Sequence, residues 1–337
     1  MIGTALLPEL SDCHVIALIH RTAVPGADEL VAGDLTAPLL GLDPAAYSNL
    51  VRRVDAVVHC AAVTDFSSGP EATHALNEAG TRQIVRLVAD ADAVLYHVST
   101  AFVARTDLTR SSLGHDSGDA SARPEDYLDS KRAGEEVVRT SGIPHVIIRP
   151  SVVIGDSRTG EISAFQGMHG MLTGLLRGML PLVPLPPDSP VDFISQDVVA
   201  ATIAALVRSG RREGEIWVTA SAHAPSTGRV LQLVSETASE VGLDVAVPRT
   251  VGPEMVDRLI RPVFIAGLHP RARRRFDDML AMTALFAGAQ PFPSSLGLPG
   301  LPPHPGPAGT ESALRATVLH LVQARGLGRR LAEQVPA

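Results

Sequence analysis

Residues 93–101 read Ala93-Val94-Leu95-Tyr96-His97-Val98-Ser99-Thr100-Ala101, a short, mostly apolar run that passes without a break into two hydroxyl residues. The run predicts a buried strand over 93–98, because a strand covered on both faces shows no polar alternation. In an open parallel sheet the ligand crevice lies beyond the carboxyl ends of the strands, so Ser99 and Thr100 would face whatever binds. Capping of the following turn is an equally good use for the two hydroxyls.

About thirty residues on, Asp126-Tyr127-Leu128-Asp129-Ser130-Lys131-Arg132 sets a phenol and an ammonium four residues apart. On a helix these lie one above the other and can act on one substrate atom. A tyrosine with a pKa near ~10 transfers protons poorly at neutral pH, and a neighbouring cation is expected to lower that value. An exposed helix face also carries such a pair without any function.

Outward from these two stretches the chain alternates short apolar strands with helices. Gly3 to Leu10 suggests a short helix, and His14 to Ile19, a stretch ending near Val31, and Val54 to Cys60 suggest strands. Asn77 to Asp90 has helical period through Ile84, Val85, Leu87 and Val88. After a polar loop, Thr106 to Arg123, the Tyr127 helix turns Ala133, Val137 and Val138 inward, and His145 to Ile148 is the next strand. The expected fold is α/β, a doubly wound parallel Rossmann sheet with a smaller, mainly helical C-terminal substrate-binding region. Residues 1–160 would form the dinucleotide-binding domain, with 191–220 returning to its sheet and Ile216 to Thr219 as the last sheet strand. Residues 161–190 and 221–337 would form the substrate region. There Arg229 to Val241 reads as a helix, Pro291 to Gly309 as a Pro/Gly-rich linker, and Glu311 to Gln323 as a final helix. The stretch Ile162 to Leu180, dotted with Met168, Met171 and Met179, reads equally as the lining of an acyl channel or as plain core.

Composition narrows the function classes. The chain has 337 residues, 45% of them hydrophobic and 19% charged, with a formal net charge of −7. No basic excess points to nucleic acid, and Arg271 to Arg275 is offset by Asp277 and Asp278. Cys13 and Cys60 make neither a disulfide framework nor a metal site, so no metal is expected and a reducing, cytoplasmic setting is. No run reaches the ~18–20 apolar residues of a transmembrane segment.

Several local patterns, in order, carry a family resemblance. They are Gly33-Asp34-Leu35 with Leu40-Gly41-Leu42, Val58-His59-Cys60-Ala61-Ala62 with Phe66, Asn77-x-x-Gly80-Thr81, Val98 to Val103, Tyr127-x-x-x-Lys131, Arg149-Pro150-Ser151, Gly155 to Gly160, and Val191-Asp192 with Asp197-Val198. Over residues 1 to about 220 the chain resembles the extended short-chain dehydrogenase/reductases, in particular their thioester-reductase and male-sterility-type fatty acyl reductase branch. The resemblance implies a triad of Thr100, Tyr127 and Lys131, with Tyr127 as proton donor and Lys131 lowering its pKa and holding the nicotinamide ribose. Thr100 is preferred to Ser99 because the family's hydroxyl precedes an Ala-x-Val segment, here Ala101-Phe102-Val103. Cofactor contacts would come from Gly3, Arg21, Asp34, Leu35, Ala61, Ala62, Pro150 and Ser151, besides Tyr127 and Lys131. Arg21 can pair with a 2′-phosphate where an acidic residue would bond a free hydroxyl, so NADP(H) is favoured over NAD(H). His59, Cys60, Asp192 and Asp197 are expected to be structural.

The function so implied is reduction of a small-molecule or carrier-bound acyl thioester to aldehyde or alcohol. The Gly155 to Gly160 signature and the apolar stretch after it suggest a hydrophobic acyl chain. Alternatives using the same triad are epimerisation, dehydration or alcohol/ketone oxidoreduction on a nucleotide sugar, sterol or similar molecule; a third is a non-catalytic dinucleotide-binding protein. In the family an apolar strand and Thr-Gly-x-x-Gly-x-x-Gly come first, and here Met1 to Leu7 matches only the end of that motif, with Gly3 as its third glycine. About ten further in-frame residues upstream are therefore expected.

Overall fold

In a computed structural model, residues 1–105, 123–180, 182–252, 255–256, 258, 267, 269–286 and 290–327 are described. The strands are β1 (Ile16–Ile19), β2 (Glu29–Ala32), β3 (Ala56–His59), β4 (Val94–Val98), β5 (His145–Pro150), β6 (Val152–Ile154), β7 (Leu182–Val183), β8 (Phe193–Ser195), β9 (Glu213–Val218) and β10 (Arg249–Thr250). The helices are α1 (Ile2–Leu6), α2 (Pro44–Val51), α3 (Gly69–His74), α4 (Thr81–Ala91), α5 (Pro124–Arg139), α6 (Met168–Leu176), α7 (Gln196–Arg208), α8 (Thr227–Glu240), α9 (Pro270–Ala284) and α10 (Gly306–Ala324).

The main sheet runs β3-β4-β5-β9, parallel throughout. β1 and β2 form a parallel pair beside it, and among the described residues the second edges of β1 and β3 have no strand partner. Successive residues of β4 serve opposite faces. Val94, Tyr96 and Val98 pack with Ile203 and Leu206 of α7, whereas Leu95 packs with Leu87 and Val88 of α4. Val15 and Val58 join the first layer, and Ile16 and Val57 the second, so β1 and β3 lie between the same two layers. Helices thus cover both faces, as in a Rossmann-like α/β domain.

Several sequence expectations are corrected. The helix read from Asn77 opens as a π-type turn, Ala75–Gly80, before α4. β9 is the last strand of the main sheet, as expected, while β10 pairs with β7 in a separate parallel pair. The segment after Val241 contains α9, whose period is masked in sequence by its charged first half but which buries Met279 and Ala281.

Nor is Pro291 to Gly309 a linker. The Ser295 amide donates to the Trp217 carbonyl at 2.8 Å, the Trp217 amide to Ser295 Oγ at 3.0 Å, and the Thr219 hydroxyl to the Pro293 carbonyl at 2.7 Å. Phe292 and Leu296 are buried. Proline lacks an N–H but keeps its carbonyl, so a Pro/Ser segment can cover the edge of β9. The polar loop read from Thr106 lies, over 106–122, outside the described residues.

Candidate active site

Helix α5 begins with Pro124 at a position where no N–H is needed and with Glu125 and Asp126 in its first turn, all favourable at a helix N-terminus. Its inner face carries Tyr127, Lys131 and Glu135 at successive four-residue steps. Gly134 allows this face to approach the preceding helical segment. A Cβ there would lie 2.6 Å from the Asn77 carbonyl oxygen, closer than side-chain atoms tolerate. Asn77 itself clamps three elements. Its Oδ1 accepts from the Val63 amide at 2.8 Å, and its Nδ2 donates to the Val63 carbonyl at 3.0 Å and to Ser130 Oγ at 2.9 Å.

The sequence-predicted triad converges at the end of β4. Lys131 Nζ donates to the Val98 carbonyl at 2.8 Å. Thr100 accepts from the Phe102 amide, capping the turn Ala101–Ala104, and its hydroxyl also reaches the Tyr127 phenol. The capping reading of that hydroxyl is thus met, and its contact with the phenol leaves it beside Tyr127. Ser99 instead faces the Glu135 carboxylate. Tyr127 packs against Phe66, with ring centroids 5.3 Å apart.

The charge states differ from the sequence expectation. Burial pushes the Tyr127 phenol up to about 12, opposed only by the Thr100 hydrogen bond. The neighbouring lysine does not win that contest, because its Nζ is directed to the Val98 carbonyl. Burial also brings the Lys131 ammonium down to about 8, against the pull of the Glu135 charge. Burial alone would raise Glu135, but hydrogen bonds from Arg149 and Ser99 and the charges of Arg149 and Arg139 hold it below its ordinary value. Arg149 makes two hydrogen bonds to Glu135, at 2.9 and 2.6 Å, and two to Glu215, at 2.6 and 3.3 Å, while its guanidinium lies 4.6 Å from the Trp217 ring centre. This network ties α5 to the ends of β5 and β9.

Glu135 was not singled out from sequence, although it stands four residues beyond Lys131. A second signal also went unread: Lys131 is the chain's only lysine, every other residue of its basic set being arginine. A compact ammonium whose pKa moves with burial is not interchangeable with a guanidinium.

The expected structural residues are all bonded. His59 Nε2 lies 3.2 Å from the Thr81 hydroxyl, and burial brings its pKa down to about 3. Asp192 accepts from the Ala220 and Ser221 amides, and Asp197 from the amide and hydroxyl of Ser157. Burial raises the Cys60 thiol. The Gly155 to Gly160 signature is a joint. A Cβ on Gly155 would lie 2.1 Å from the Gly160 carbonyl oxygen, and one on Gly160 2.0 Å from that of Ala316 in α10. The Asp156 carboxylate closes the loop by accepting from the Arg158 and Thr159 amides.

The expected cofactor residues follow strand ends. Arg21 comes two residues after β1 and Asp34 two after β2, Ala61 and Ala62 follow β3, and Pro150 and Ser151 end β5. The Asp34 carboxylate accepts the amide and hydroxyl of Thr36, which lower its pKa, and the nearby charges of His20 and Arg21 add to this. Leu35 lies against Gly80, Val63 is held by Asn77, and Gly3 lies against Cys60. The ends of β2 and β3 and helix α5 are thereby drawn to one side, the arrangement a dinucleotide needs. Arg21 is exposed and has no ion pair among the described residues.

A parallel sheet presenting a Thr–Tyr–Lys cluster at its carboxyl edge defines an oxidoreductase of the nicotinamide dinucleotide-binding α/β class. The family model described as male sterility protein, an NAD-binding domain, matches residues 23–203, and the chain belongs to that family, within the extended short-chain dehydrogenase/reductases. The chain is 29% identical over 185 residues to the glycine betaine reductase ATRR of Emericella nidulans, covering 51% of this chain and 14% of that protein. It is 32% identical over 222 residues to the polyketide synthase-nonribosomal peptide synthetase ACE1 of Pyricularia oryzae, covering 59% and 5%. It thus spans only a small part of these curated relatives. Among solved structures, the terminal R domain of the myxalamid PKS-NRPS pathway matches with a TM-score of 0.70 at 21% identity, covering 97% of this chain and 89% of that one. The reductase domain of a nonribosomal peptide synthetase from Mycobacterium tuberculosis matches with a TM-score of 0.64 at 19% identity, covering 97% and 90%. These two likenesses concern the fold.

Proposed function

We propose that the protein reduces an acyl thioester, carried by coenzyme A or a carrier protein, to an aldehyde or alcohol with NADPH in the cytoplasm. The observation that carries this reading is the meeting of Thr100, Tyr127 and Lys131 at the end of β4. In this reading residues 1–160 with 191–220 hold the cofactor and residues 161–190 and 221–337 shape the substrate site. Similarity to reductase domains of thioester-using synthetases supports the substrate class.

A nicotinamide held by these residues would supply hydride to the carbonyl carbon. Thr100 and Tyr127 hold the carbonyl oxygen, where negative charge develops and preorganised donors count most. A phenol raised to about 12 keeps its proton at neutral pH and gives it up only to a strongly basic oxygen. Lys131, charged at neutral pH and directed to the Val98 carbonyl, would hold the nicotinamide ribose beside the phenol. The carbon–sulfur bond then breaks, the thiol leaves with a proton, and the aldehyde is released. Phe66 and Phe102 keep the surroundings of Tyr127 apolar, which strengthens these charge interactions.

Anaerobic incubation with NADPH and a panel of acyl thioesters, scored by mass spectrometry, tests the proposal. Aldehyde or alcohol formation is expected. Turnover of nucleotide sugars or sterols with no product from any thioester would overturn it in favour of the other enzymatic reading.

A further inference from the structure

Residues of α6, α8 and α9, with the chain around them, line a cavity of about 50 Å³, among them Met168, Met171, Leu175, Leu231, Met279 and Phe286. Met179, the third methionine of the same sequence run, is exposed and takes no part. Two threonines also line the cavity, but both hydroxyls are engaged: Thr227 donates to the Ser189 carbonyl at 3.0 Å and Thr283 to the Met279 carbonyl at 2.9 Å. The walls therefore offer water no polar partner, and a space of this kind takes up apolar groups instead. Methionine side chains shift to fit what enters.

The cavity adjoins the reaction centre. Phe286, on its wall, meets Phe102 edge-on with ring centroids 5.6 Å apart, and the Phe102 amide donates to Thr100 Oγ1 at 3.4 Å. One aromatic pair separates the hydroxyl that would hold the thioester carbonyl from the apolar space. We propose that this cavity seats the terminal methyl end of a straight, saturated acyl chain and so sets the chain length the enzyme prefers. The inference rests on the thioester-reductase reading. Affinity should rise about fourfold for each methylene buried, at ~0.8 kcal/mol each, and then fall once the chain outgrows the cavity.

The test measures kcat/KM for saturated acyl thioesters of increasing length with the parent protein, Leu175→Phe and Met171→Ala. It also measures calorimetric binding of straight-chain 1-alkanols, which needs no reduction. Filling the cavity with Leu175→Phe should move the optimum to shorter chains and weaken alkanol binding at least tenfold, and Met171→Ala should move the optimum to longer chains. If Leu175→Phe fails to fold, the Met171→Ala shift and the parent's alkanol binding decide alone. Thioester turnover with the same optimum in the variants would overturn the cavity assignment and leave the reductase reading standing. Alkanol binding that Leu175→Phe abolishes, with no thioester reduced, would uphold a hydrocarbon site and overturn the reductase reading. Absence of both would overturn both.

Discussion

Lys131 and Val98 are joined by a 2.8 Å hydrogen bond from the ammonium to the backbone carbonyl, which pins the middle of α5 to the carboxyl end of β4. The charge is held in a buried place where its own burial works against it, bringing its pKa to about 8. Because no other lysine is present, selective isotope labelling of lysine gives one side-chain ammonium signal to follow. It should titrate near 8, and Glu135→Gln should move it lower by removing the charge that supports it. Turnover should fall as pH rises through the same value. A titration near the ordinary ~10.4 would contradict the buried placement.

The same group leaves a mark on stability. Its folded-state value, about 8, lies below the unfolded one, so between them the unfolded chain binds more protons and stability rises with pH. The cost of the buried charge is fully present below about 8. Lys131→Met should therefore be more stabilising, or less destabilising, at pH 7 than at pH 10.5, by roughly 3 kcal/mol. Chemical denaturation of parent and variant at the two pH values checks this; a pH-independent difference would count against it.

Glu135 and Arg149 form a buried ion pair, and removing one partner leaves the other only its more exposed second partner, Arg139 for Glu135 and Glu215 for Arg149. Glu135→Gln or Arg149→Met should each cost about 3–5 kcal/mol, whereas the double replacement should cost less than the sum. Glu135 is held below its unfolded value, so its contribution is complete above the ordinary carboxylate range and is lost as pH falls through the folded value. Denaturation midpoints of the three variants measure the coupling; strict additivity would mean that the pair does not act as a unit.

Arg21 is the residue on which cofactor choice is expected to turn. Arg21→Ala should weaken NADPH binding tenfold or more while leaving NADH nearly unchanged, and Arg21→Asp should go further. Fluorescence titration with both dinucleotides reads this directly. Equal affinity of the parent for the two would refute the role given to Arg21.

What could be read from sequence depended on how local the cause was. β4 and β5 were legible because strands covered on both faces must be continuously apolar, and the Tyr127/Lys131 face because helical spacing is a local rule. The segment around Ser295 was misread because its partner, the edge of β9, lies far away in the chain and proline content alone argues for a linker. α9 was missed because charge obscures its period. The direction of the Tyr127 shift was missed for another reason: spacing places Lys131 near the phenol, but only the folded chain shows the ammonium directed to Val98 and the phenol buried.

The most direct test compares the parent with Tyr127→Phe in single-turnover reduction of one acyl thioester by NADPH, with dinucleotide affinity measured on both. The ring and its packing against Phe66 remain, and only the proton donor is removed. The expected result is a fall in rate on the order of 10²- to 10⁴-fold with cofactor affinity little changed. A Tyr127→Phe variant that keeps most of its rate would contradict the assignment of Tyr127 as the proton donor.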